Sequence, residues 1–584
     1  MLAALTHRGP DDAGTYSGQG AILGQRRLSI IDLAGGHQPI PNEDRTKWII
    51  CNGEIYNHRE LRMHLERSGH AFLTHSDSEV VLHLYEELGQ RCVEKLRGMF
   101  AFAIWDAEKK ILFAARDHLG QKPFFYVETQ NGLFFASEIK ALLALDPSLA
   151  KLNFEALYQY LSLRIIASPL SMFSEVKKLS PGHSLTFSAN SGLRIERYWE
   201  LYYEPKFVGS EQDAIDELEE KLIECLKLHT VSDVPVGAFM SGGLDSTLVV
   251  AMLMKHVVDV PIQTFSVGLP YRQFDEAPYA RMIADQYGTH HHEETITPSL
   301  LDTLPELTWH LDEPSDPLAV CSYLIAKIAR EHVKVVLGGD GGDELFAGYD
   351  RYYGNMYADQ YARIPAMVRR NVVNRVLNRL PDGNWYKSLP HRLKWLNQLS
   401  FLRGGQRYAR SLGYFYFNEA GTRSVYGPAM ERVLASFDPE ASIRDYFENA
   451  HASEALDRML YADSQVRLPD HSVMILDRMT MAHGLEARSP FMDHILVEFA
   501  ARLPTSLKIK RRSLRYIEYQ LAKRYLPRAV LNRPKQGFSV ALPYMLRHEY
   551  SVLFRILLEN AHLARDEILS QNAISRLVEE HEIG

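Results

Sequence analysis

The chain has 584 residues, too many for one compact domain, and its length predicts roughly two to four. Hydrophobic residues make up 46% and charged residues 24%, which excludes disorder, collagen-like repeats and a disulfide scaffold. With 65 Lys and Arg against 73 Asp and Glu, the net charge of −8 lacks the basic character of a general nucleic-acid binder. The four cysteines form no CxxC pair and no apolar stretch could cross a bilayer. We therefore expect a cytoplasmic protein with neither a nucleic-acid nor a membrane partner.

Short apolar runs separated by Gly, Asn and Asp recur through the first 190 residues. The clearest runs cover residues 48–51, 100–105, 111–114 and 132–136. Runs of this kind are typical of strands, and one helix is predicted to interrupt them over about 78–88. Residues 1–190 are therefore predicted to form an α+β domain built on a layered, largely antiparallel sheet.

A polar stretch with Pro and Gly over residues 191–211 is interpreted as a linker. Residues 212–584 are predicted to form a second domain that begins with a helix over 212–229. Strands at 234–240, 261–267, 293–296 and 333–337 then alternate with helices at 246–256, 276–287 and 323–330. This alternation predicts an α/β parallel sheet, which binds ligands at the carboxyl ends of its strands, followed by a helical region.

A glycine-rich string lies between a predicted strand and a predicted helix: Ser241, Gly242, Gly243, Leu244, Asp245 and Ser246. Glycines let backbone N–H groups approach an anion, the helix N-terminus adds a favourable dipole, and serine hydroxyls donate hydrogen bonds. Asp245 suits a phosphate site if it holds a magnesium ion that bridges phosphate oxygens. A Walker loop is excluded because GxxxxGK[ST] is absent. The string predicts a loop for nucleotide phosphates; an ordinary glycine-rich turn is the alternative.

A second glycine-rich string follows the strand predicted over 333–337: Gly338, Gly339, Asp340, Gly341, Gly342, Asp343 and Glu344. Such a loop at a strand end aims carboxylates into a cleft. Asp343 is predicted to be a second magnesium ligand and Asp340 to face the substrate. By itself the string also fits a calcium-type turn or a solvated acidic loop. Its position at a strand end corresponding to that of the first loop favours the nucleotide site.

A cation is also expected where a triphosphate loses two phosphates. The candidate catalytic lysine is Lys535, in the segment 532–538. A preorganised ammonium group would stabilise the charge that develops on the leaving pyrophosphate, and losing such a group costs roughly 10²–10³ in rate. Taken alone, a lysine is more often a surface residue.

In these motifs and their order the chain resembles the glutamine-dependent asparagine synthetase family along most of its length. The second domain carries SGGLDS (241–246), TFSVG (264–268), FDE (274–276), GDGGDE (339–344), LEAR (485–488) and the Lys535 motif. The first domain carries HRGPDD (7–12), RLSI (27–30), NGEIYN (52–57), SDSE (76–79) and GMFAFA (98–103). The resemblance implies a class II glutaminase domain of the N-terminal-nucleophile type, with an antiparallel-sheet sandwich, followed by an ATP-pyrophosphatase synthetase domain.

The resemblance also implies a ligase reaction. The side-chain carboxylate of L-aspartate attacks the α-phosphate of ATP, pyrophosphate leaves, and ammonia from L-glutamine displaces AMP. Carried over to this sequence, Asp245 and Asp343 would hold Mg²⁺, and Lys535 would contact the pyrophosphate. The residues that would border the adenylate are Val267, Gly338 and Gly339. The sequence leaves open whether the chain forms a homodimer.

The glutamine site implied by the resemblance lies in the first domain. Arg27 and Asp77 would hold the two ends of glutamine. Asn52 and the Gly53 N–H would form the oxyanion hole, and Glu54 belongs to the same glutamine-binding motif.

The chain departs from the family at the glutaminase nucleophile, which is a cysteine directly after the initiator methionine. Residue 2 is Leu2, and the first strand of the usual domain is missing from this sequence. Cys51 lies in an apolar strand without a terminal amine, so we predict a buried packing role for it. As written, the chain is expected not to hydrolyse glutamine. One explanation is that the true protein starts further upstream, with Met-Cys-Gly. The other is that the glutaminase half is degenerate and the enzyme uses free ammonia. The intact glutamine motifs favour the first explanation.

Three functions remain open from the sequence. Besides aspartate amidation, the chain could amidate another carboxylate, such as a sugar uronic acid or a peptide. This possibility stays open because the segment 311–317 departs from the family's version. It could also be an inactive paralogue that acts as a binding subunit, against which the intact Asp245, Asp343 and Lys535 argue. Residues 290–292 are all histidine, but they begin a predicted strand whose side chains alternate, so we predict a structural role.

Overall fold

The computed structural model describes residues 1–18, 20–268, 275–296, 300–316, 319–380, 388–413, 423–533, 551–559 and 561–583. Up to residue 197 its strands are β1 (Asp12–Gly18), β2 (Ala21–Arg27), β3 (Ile40–Pro41), β4 (Lys47–Ile55), β5 (Gly98–Asp106), β6 (Ile111–Arg116), β7 (Phe125–Thr129), β8 (Gly132–Ala136), β9 (Lys177–Lys178), β10 (His183–Ser188) and β11 (Gly192–Arg197). The main sheet is antiparallel, in the order β11-β10-β6-β5-β4-β3. A second sheet has the order β8-β7-β9, and β1 pairs with β2.

The N-terminal helices are His58–Ser68, Glu79–Leu88, Ile139–Leu145 and Phe154–Leu163, with 3-10 turns at Leu2–Leu5, Gly89–Lys95 and Pro147–Leu149. The side-chain alternation of strand β5 sorts its residues into two cores. Phe100 and Phe102 face the helices His58–Ser68 and Glu79–Leu88, whereas Ala101 faces the second sheet. Helix Ile139–Leu145 covers the far side of that second sheet. The result is a helix–sheet–sheet–helix sandwich, which confirms the predicted antiparallel α+β domain.

A five-stranded parallel sheet forms the centre of the second domain. Its strands are β12 (Val236–Phe239), β13 (Gln263–Gly268), β14 (His290–Thr295), β15 (Val335–Leu337) and β16 (Glu486–Arg488), in the order β14-β13-β12-β15-β16. Leu337 faces the core that contains helix Leu244–His256, and Val336 faces the core that contains helix Ala319–Arg330. Helices therefore cover both faces, as the strand–helix alternation predicts.

The second domain is otherwise helical, which confirms the predicted helical C-terminal region. Its α-helices are Glu211–His229, Leu244–His256, Ala277–Tyr287, Leu300–Leu311, Ala319–Arg330, Gly342–Phe346, Asp350–Tyr361, Ala366–Val368, Asn374–Leu377, Leu389–Leu399, Gly404–Leu412, Glu431–Ser436, Ala441–Glu448, Ala455–Gln465, Met474–Met481, His494–Arg502, Thr505–Lys508, Tyr516–Ala522, Arg528–Leu531, Ser551–Glu559, His562–Arg565 and Gln571–Ile583. Short 3-10 turns lie at Pro428–Met430 and Pro490–Met492, and π-helical turns at Arg369–Val373 and Leu468–Val473. Among the described helices, none combines the length and apolar character needed to cross a bilayer.

Part of the segment interpreted as a linker belongs to the first domain. Residues 192–197 form β11, which pairs with β10 at the edge of the main sheet, so the chain leaves that sheet only after Arg197. The next helix begins with a capping box: the Ser210 hydroxyl accepts from the Asp213 N–H at 3.1 Å, and the Asp213 carboxylate accepts from the Ser210 N–H at 2.9 Å.

Buried ion pairs join the two domains. Arg8, in the HRGPDD motif, donates to both carboxylate oxygens of Asp477 at 2.7 and 3.1 Å. Arg97 donates to Asp493 at 2.8 Å. Bidentate guanidinium–carboxylate pairs fix orientation as well as distance, so these contacts set how the glutamine motifs face the parallel sheet.

Candidate active site

The first glycine-rich loop connects β12 to helix Leu244–His256, as its sequence predicts. Gly242 has a φ of +73°, and a Cβ there would lie 2.9 Å from the Glu276 carbonyl oxygen, so glycine is required on both grounds. The hydroxyls of Ser241 and Ser246 lie 3.0 Å apart, and Ser246 Oγ accepts from the Ser241 N–H at 3.2 Å. Gly243 caps the helix, whose first backbone N–H groups provide a place for an anion.

The second glycine-rich loop packs directly against the first. A Cβ on Gly339 would lie 2.5 Å from the Ser246 nitrogen, and a Cβ on Gly342 would lie 2.9 Å from Asp245 Oδ1. Strands β12 and β15 are neighbours in the parallel sheet, so both loops leave it at the same edge. The structure therefore brings the two strings, which lie about a hundred residues apart in sequence, into one site.

Arg515 joins the two carboxylates predicted as magnesium ligands. Its Nη1 donates to both oxygens of Asp245 at 2.8 and 2.9 Å and lies 3.4 Å from Asp343 Oδ1. The fully buried Glu518 lies 3.9 Å from the same guanidinium, and burial raises the pKa of its carboxyl well above the usual range. Asp245, Asp343 and the Arg515 guanidinium thus meet where the loops touch, and a cation lies between the two carboxylates.

Asp340 lies above the backbone of the second loop. A Cβ on Gly338 would lie 2.7 Å from Asp340 Oδ2, so Gly338 leaves room for this carboxylate in its present position. Burial and the nearby Asp245 and Asp343 raise the pKa of Asp340 to about 6. Burial likewise raises the pKa of Glu344 to about 7.

Of the other residues predicted to contact the nucleotide, Val267 is described by the structure and Lys535 is not. Val267 is buried near the carboxyl end of β13, the strand beside β12. Lys535 lies outside the described residues. Its neighbour Arg533 is described: it donates to the Gly242 carbonyl at 2.8 Å and pairs with Glu276. Sequence reasoning missed Arg533 and Arg515, because each lies far along the chain from the loop that it contacts.

The residues predicted to bind glutamine line one cavity in the first domain. Its volume is about 280 Å³. The predicted residues on its wall are Arg27, Asn52, Gly53, Glu54 and Asp77. The cavity lies between β2, β4 and the segment before helix Glu79–Leu88, so three separate sequence motifs converge on it.

The two predicted ends of the glutamine site are held in place by backbone groups. Arg27 donates from Nη2 to the carbonyls of Ile31 and Asp32 at 2.7 and 2.8 Å. Asp77 accepts from the Ile55 N–H at 2.7 Å, and burial raises the pKa of its carboxyl. These contacts fix the orientation of a buried cation and a buried carboxyl group at one cavity.

Asn52 and Gly53 show features of a ligand site. The Asn52 Nδ2 atom is buried without a hydrogen-bond partner, which is rare in a folded protein and suits a donor reserved for a ligand. Gly53 has a φ of +130°, and a Cβ there would lie 2.0 Å from the Met99 carbonyl oxygen. Only glycine fits this turn of β4 beside the cavity.

Glu54 and Cys51 lie on either side of Asn52 and Gly53 in the sequence, and their side chains have different surroundings. Glu54 Oε1 lies 3.2 Å from Arg488 of β16, so this carboxylate faces the second domain as well as the cavity. Arg488 also donates to Glu486 at 2.9 Å within the same strand. Cys51 is buried, and burial raises the pKa of its thiol, which keeps it protonated and inert.

The altered segment 311–316 is anchored to the first domain. Glu313 accepts from the Met172 N–H at 2.6 Å and pairs with Lys178 at 3.1 Å. Asp312 accepts from the Ile139 N–H at 2.8 Å and pairs with Lys140 at 3.0 Å. Its acidic residues therefore serve the contact between domains; Pro317, the last residue of the segment, lies outside the described residues.

Comparison with known proteins agrees with this two-part architecture. Residues 1–199 match the family model of the glutamine amidotransferase domain, and residues 217–584 match that of asparagine synthase. "Asparagine synthetase [glutamine-hydrolyzing] 1" of Bacillus subtilis is 33% identical over 100% of this chain and 89% of its own length. A "Putative asparagine synthetase [glutamine-hydrolyzing]" of Mycobacterium bovis is 34% identical over 93% of this chain and 84% of its own. "Amidase chyE" of Penicillium rubens is 29% identical over 92% of this chain and 83% of its own.

The two matching domain families and these relatives indicate a ligase with a glutamine amidotransferase domain and an asparagine synthase domain. The chain belongs to the asparagine synthase family.

Proposed function

We propose that the chain converts L-aspartate to L-asparagine, with ATP and ammonia as co-substrates. The observation that carries this proposal is the contact of the two acidic glycine-rich loops, with Gly339 against the backbone of Asp245 and Ser246. One loop supplies N–H and hydroxyl donors for phosphate oxygens, and the other supplies carboxylates at the same edge of the sheet. This is the arrangement that activation of a carboxylic acid by a nucleotide requires.

Each part of the site has a distinct role in the proposed reaction. The aspartate side-chain carboxylate attacks the α-phosphate of ATP, pyrophosphate leaves, and ammonia then attacks the acyl carbon as AMP departs. Ser241, Ser246 and the N–H groups at the start of helix Leu244–His256 bind and orient the phosphates. Asp340, with a pKa of about 6, is ionised at neutral pH and can accept a hydrogen bond from the ammonium group of the substrate.

The carboxylate pair fits a magnesium ion. Asp245 and Asp343 offer hard oxygen ligands, and their contacts with the cationic Arg515 support a place that favours positive charge. A bound Mg²⁺ would neutralise negative charge on phosphate oxygens. Lys535 is proposed to contact the pyrophosphate, and Val267, Gly338 and Gly339 to border the adenylate.

The cavity of the first domain is proposed to bind L-glutamine. Arg27 and Asp77 carry charges that match the carboxylate and ammonium ends of an amino acid, and Asn52 Nδ2 is a donor without a protein partner. Gly53 contributes an N–H at the same wall, and Glu54 connects that wall to Arg488 of the synthetase domain.

The test is exchange of radiolabelled pyrophosphate into ATP by the full chain, with Mg²⁺ and each candidate acceptor in turn. We expect exchange that depends on L-aspartate. Exchange only with a uronic acid or a peptide acid would transfer the proposal to another acceptor. Failure to bind ATP and Mg²⁺ by calorimetry would indicate a binding subunit without ligase activity.

A further inference from the structure

A cluster of four metal-ligating side chains lies outside both proposed sites, on the helical layer of the first domain. It consists of Glu43, His70, His83 and Glu86, whose ligand atoms all lie within 4.8 Å of one another. We propose that this cluster binds a divalent transition-metal ion of the Zn²⁺ type as a closed structural site. Two imidazoles and two carboxylates are a donor set that suits Zn²⁺.

The ligand atoms of the four side chains lie within 4.8 Å of one another, close to tetrahedral separations, and the hydrogen-bonded contact between His83 and Glu86 would lengthen when an ion binds. Ligands about 2.0–2.2 Å from Zn²⁺ lie roughly 3.3–3.6 Å from one another. His70 Nδ1 lies 3.4 Å from Glu43 Oε1 and 3.7 Å from Glu86 Oε2. His83 Nδ1 lies 2.8 Å from Glu86 Oε2 and 3.7 Å from Glu43 Oε2. Each histidine therefore faces both carboxylates through the same ring atom.

The opposite nitrogen of each imidazole faces an outer carboxylate. His83 Nε2 lies 3.5 Å from Glu79 Oε1, and His70 Nε2 lies 3.6 Å from Glu87 Oε1. A carboxylate on the far nitrogen is the usual partner of a metal-bound histidine, because it fixes the ring and raises its basicity. Glu79 is itself immobilised: it is fully buried and accepts from the N–H groups of Leu73 and Thr74 at 2.6 and 2.7 Å.

Hydrogen bonds also orient the two ligand carboxylates. Glu86 Oε1 accepts from Asn42 Nδ2 at 2.7 Å, which leaves Oε2 directed at the histidines. Glu43 Oε1 accepts from the Ala71 N–H at 2.9 Å. His83 is completely buried, His70 and Glu86 are partly buried, and Glu43 is exposed, so an ion can enter from the Glu43 side.

The ion would connect three separate segments of the first domain. Glu43 precedes β4, His70 follows helix His58–Ser68, and His83 and Glu86 lie on helix Glu79–Leu88. Glu79, the outer partner of His83, is two residues from Asp77 on the cavity wall. The ion would therefore brace the start of this helix, where Asp77 is placed, without contacting glutamine.

The same side chains could instead form a proton-bridged cluster in which histidinium rings pair with the carboxylates. Titration of the metal-stripped full chain distinguishes the two. With ZnCl₂, calorimetry should show one saturable equivalent that raises the thermal midpoint. With CoCl₂ in its place, visible absorption bands of tetrahedral cobalt should appear and be lost on addition of zinc.

Two variants assign that equivalent to this cluster. His70→Gln and Glu43→Gln each remove one ligand at a position that is partly exposed, so both should fold. Their zinc affinity should fall by at least the roughly 10–100-fold that loss of an outer partner costs. The matched control is His64→Gln, a histidine on the adjoining helix at 3.8 Å from Glu87, which should bind zinc as the parent does. No saturable equivalent, or unchanged affinity in His70→Gln and Glu43→Gln, overturns the proposal.

Discussion

The two acidic glycine-rich loops and the cavity of the first domain hold their charged side chains in different ways. At the loops, Asp245 and Asp343 share the single guanidinium of Arg515, and charge is concentrated at one point. At the cavity, Arg27 is directed to backbone carbonyls and Asp77 to a backbone N–H, while Asn52 offers a neutral donor. The loops therefore depend on paired charges, whereas the cavity depends on backbone geometry that keeps charges apart.

Stability at the cavity should therefore depend most on residues whose backbone conformation and close packing require glycine. Gly53→Ala adds a Cβ 2.0 Å from the Met99 carbonyl oxygen at a φ of +130°. We expect it to lower the free energy of unfolding by about 4 kcal/mol, since overpacking and an unfavourable φ act together. The measurement is denaturant unfolding. Gly69→Ala is the control, with φ +103° but open space around its Cβ, and should cost only about 1 kcal/mol. Equal losses would show that the cavity wall is not tightly packed.

The loops should be most sensitive to a change of charge. Arg515→Gln leaves Asp245 and Asp343 without their shared cation and should destabilise the chain by about 3 kcal/mol. Millimolar MgCl₂ should restore more of the thermal midpoint in this variant than in the parent. The control is Arg524→Gln, whose partners lie on the surface and which should cost at most about 1 kcal/mol. A loss no larger than the control's would contradict the shared-charge account.

A smaller effect is expected from the pH dependence of Asp340. Its folded pKa of about 6 lies above the ordinary 3.8. Between about pH 4 and 6 the folded chain binds more protons than the unfolded chain, so stability falls as pH rises through that window. Asp340→Asn should therefore be more stable than the parent by about 1–2 kcal/mol at pH 7.5, with little difference near pH 4. Thermal unfolding at both pH values is the measurement, and a pH-independent difference would refute the assignment.

Local patterns were enough to predict the elements that carry the motifs. The loop at 241–246 leaves a strand and enters a helix, and the cavity gathers all five predicted glutamine residues. The first result follows from hydrophobic periodicity around a contiguous motif, whereas the second follows from the motifs that carry the family resemblance.

What the sequence did not reveal depends on contacts between distant segments. Strand β16 has only three residues and joins the sheet beside β15, about 150 residues earlier in the chain. Glu486 and Arg488 lie two residues apart in that strand, so their side chains share one face and pair there. Arg515 begins a short helix without any motif of its own. The cluster of Glu43 and His70 with helix Glu79–Leu88 likewise has no spacing that sequence could have shown, whereas the conspicuous histidines at 290–292 form an ordinary strand.

The central claim is that the two acidic loops act as one nucleotide site, and a double-mutant cycle tests it most directly. Asp245→Asn and Asp343→Asn should each lower aspartate-dependent pyrophosphate exchange by roughly 10²–10³. Because both carboxylates are proposed to hold the same ion, the double variant should lose no more than about tenfold beyond the more impaired single variant. Losses that multiply, or single variants that keep near-normal exchange, would contradict it.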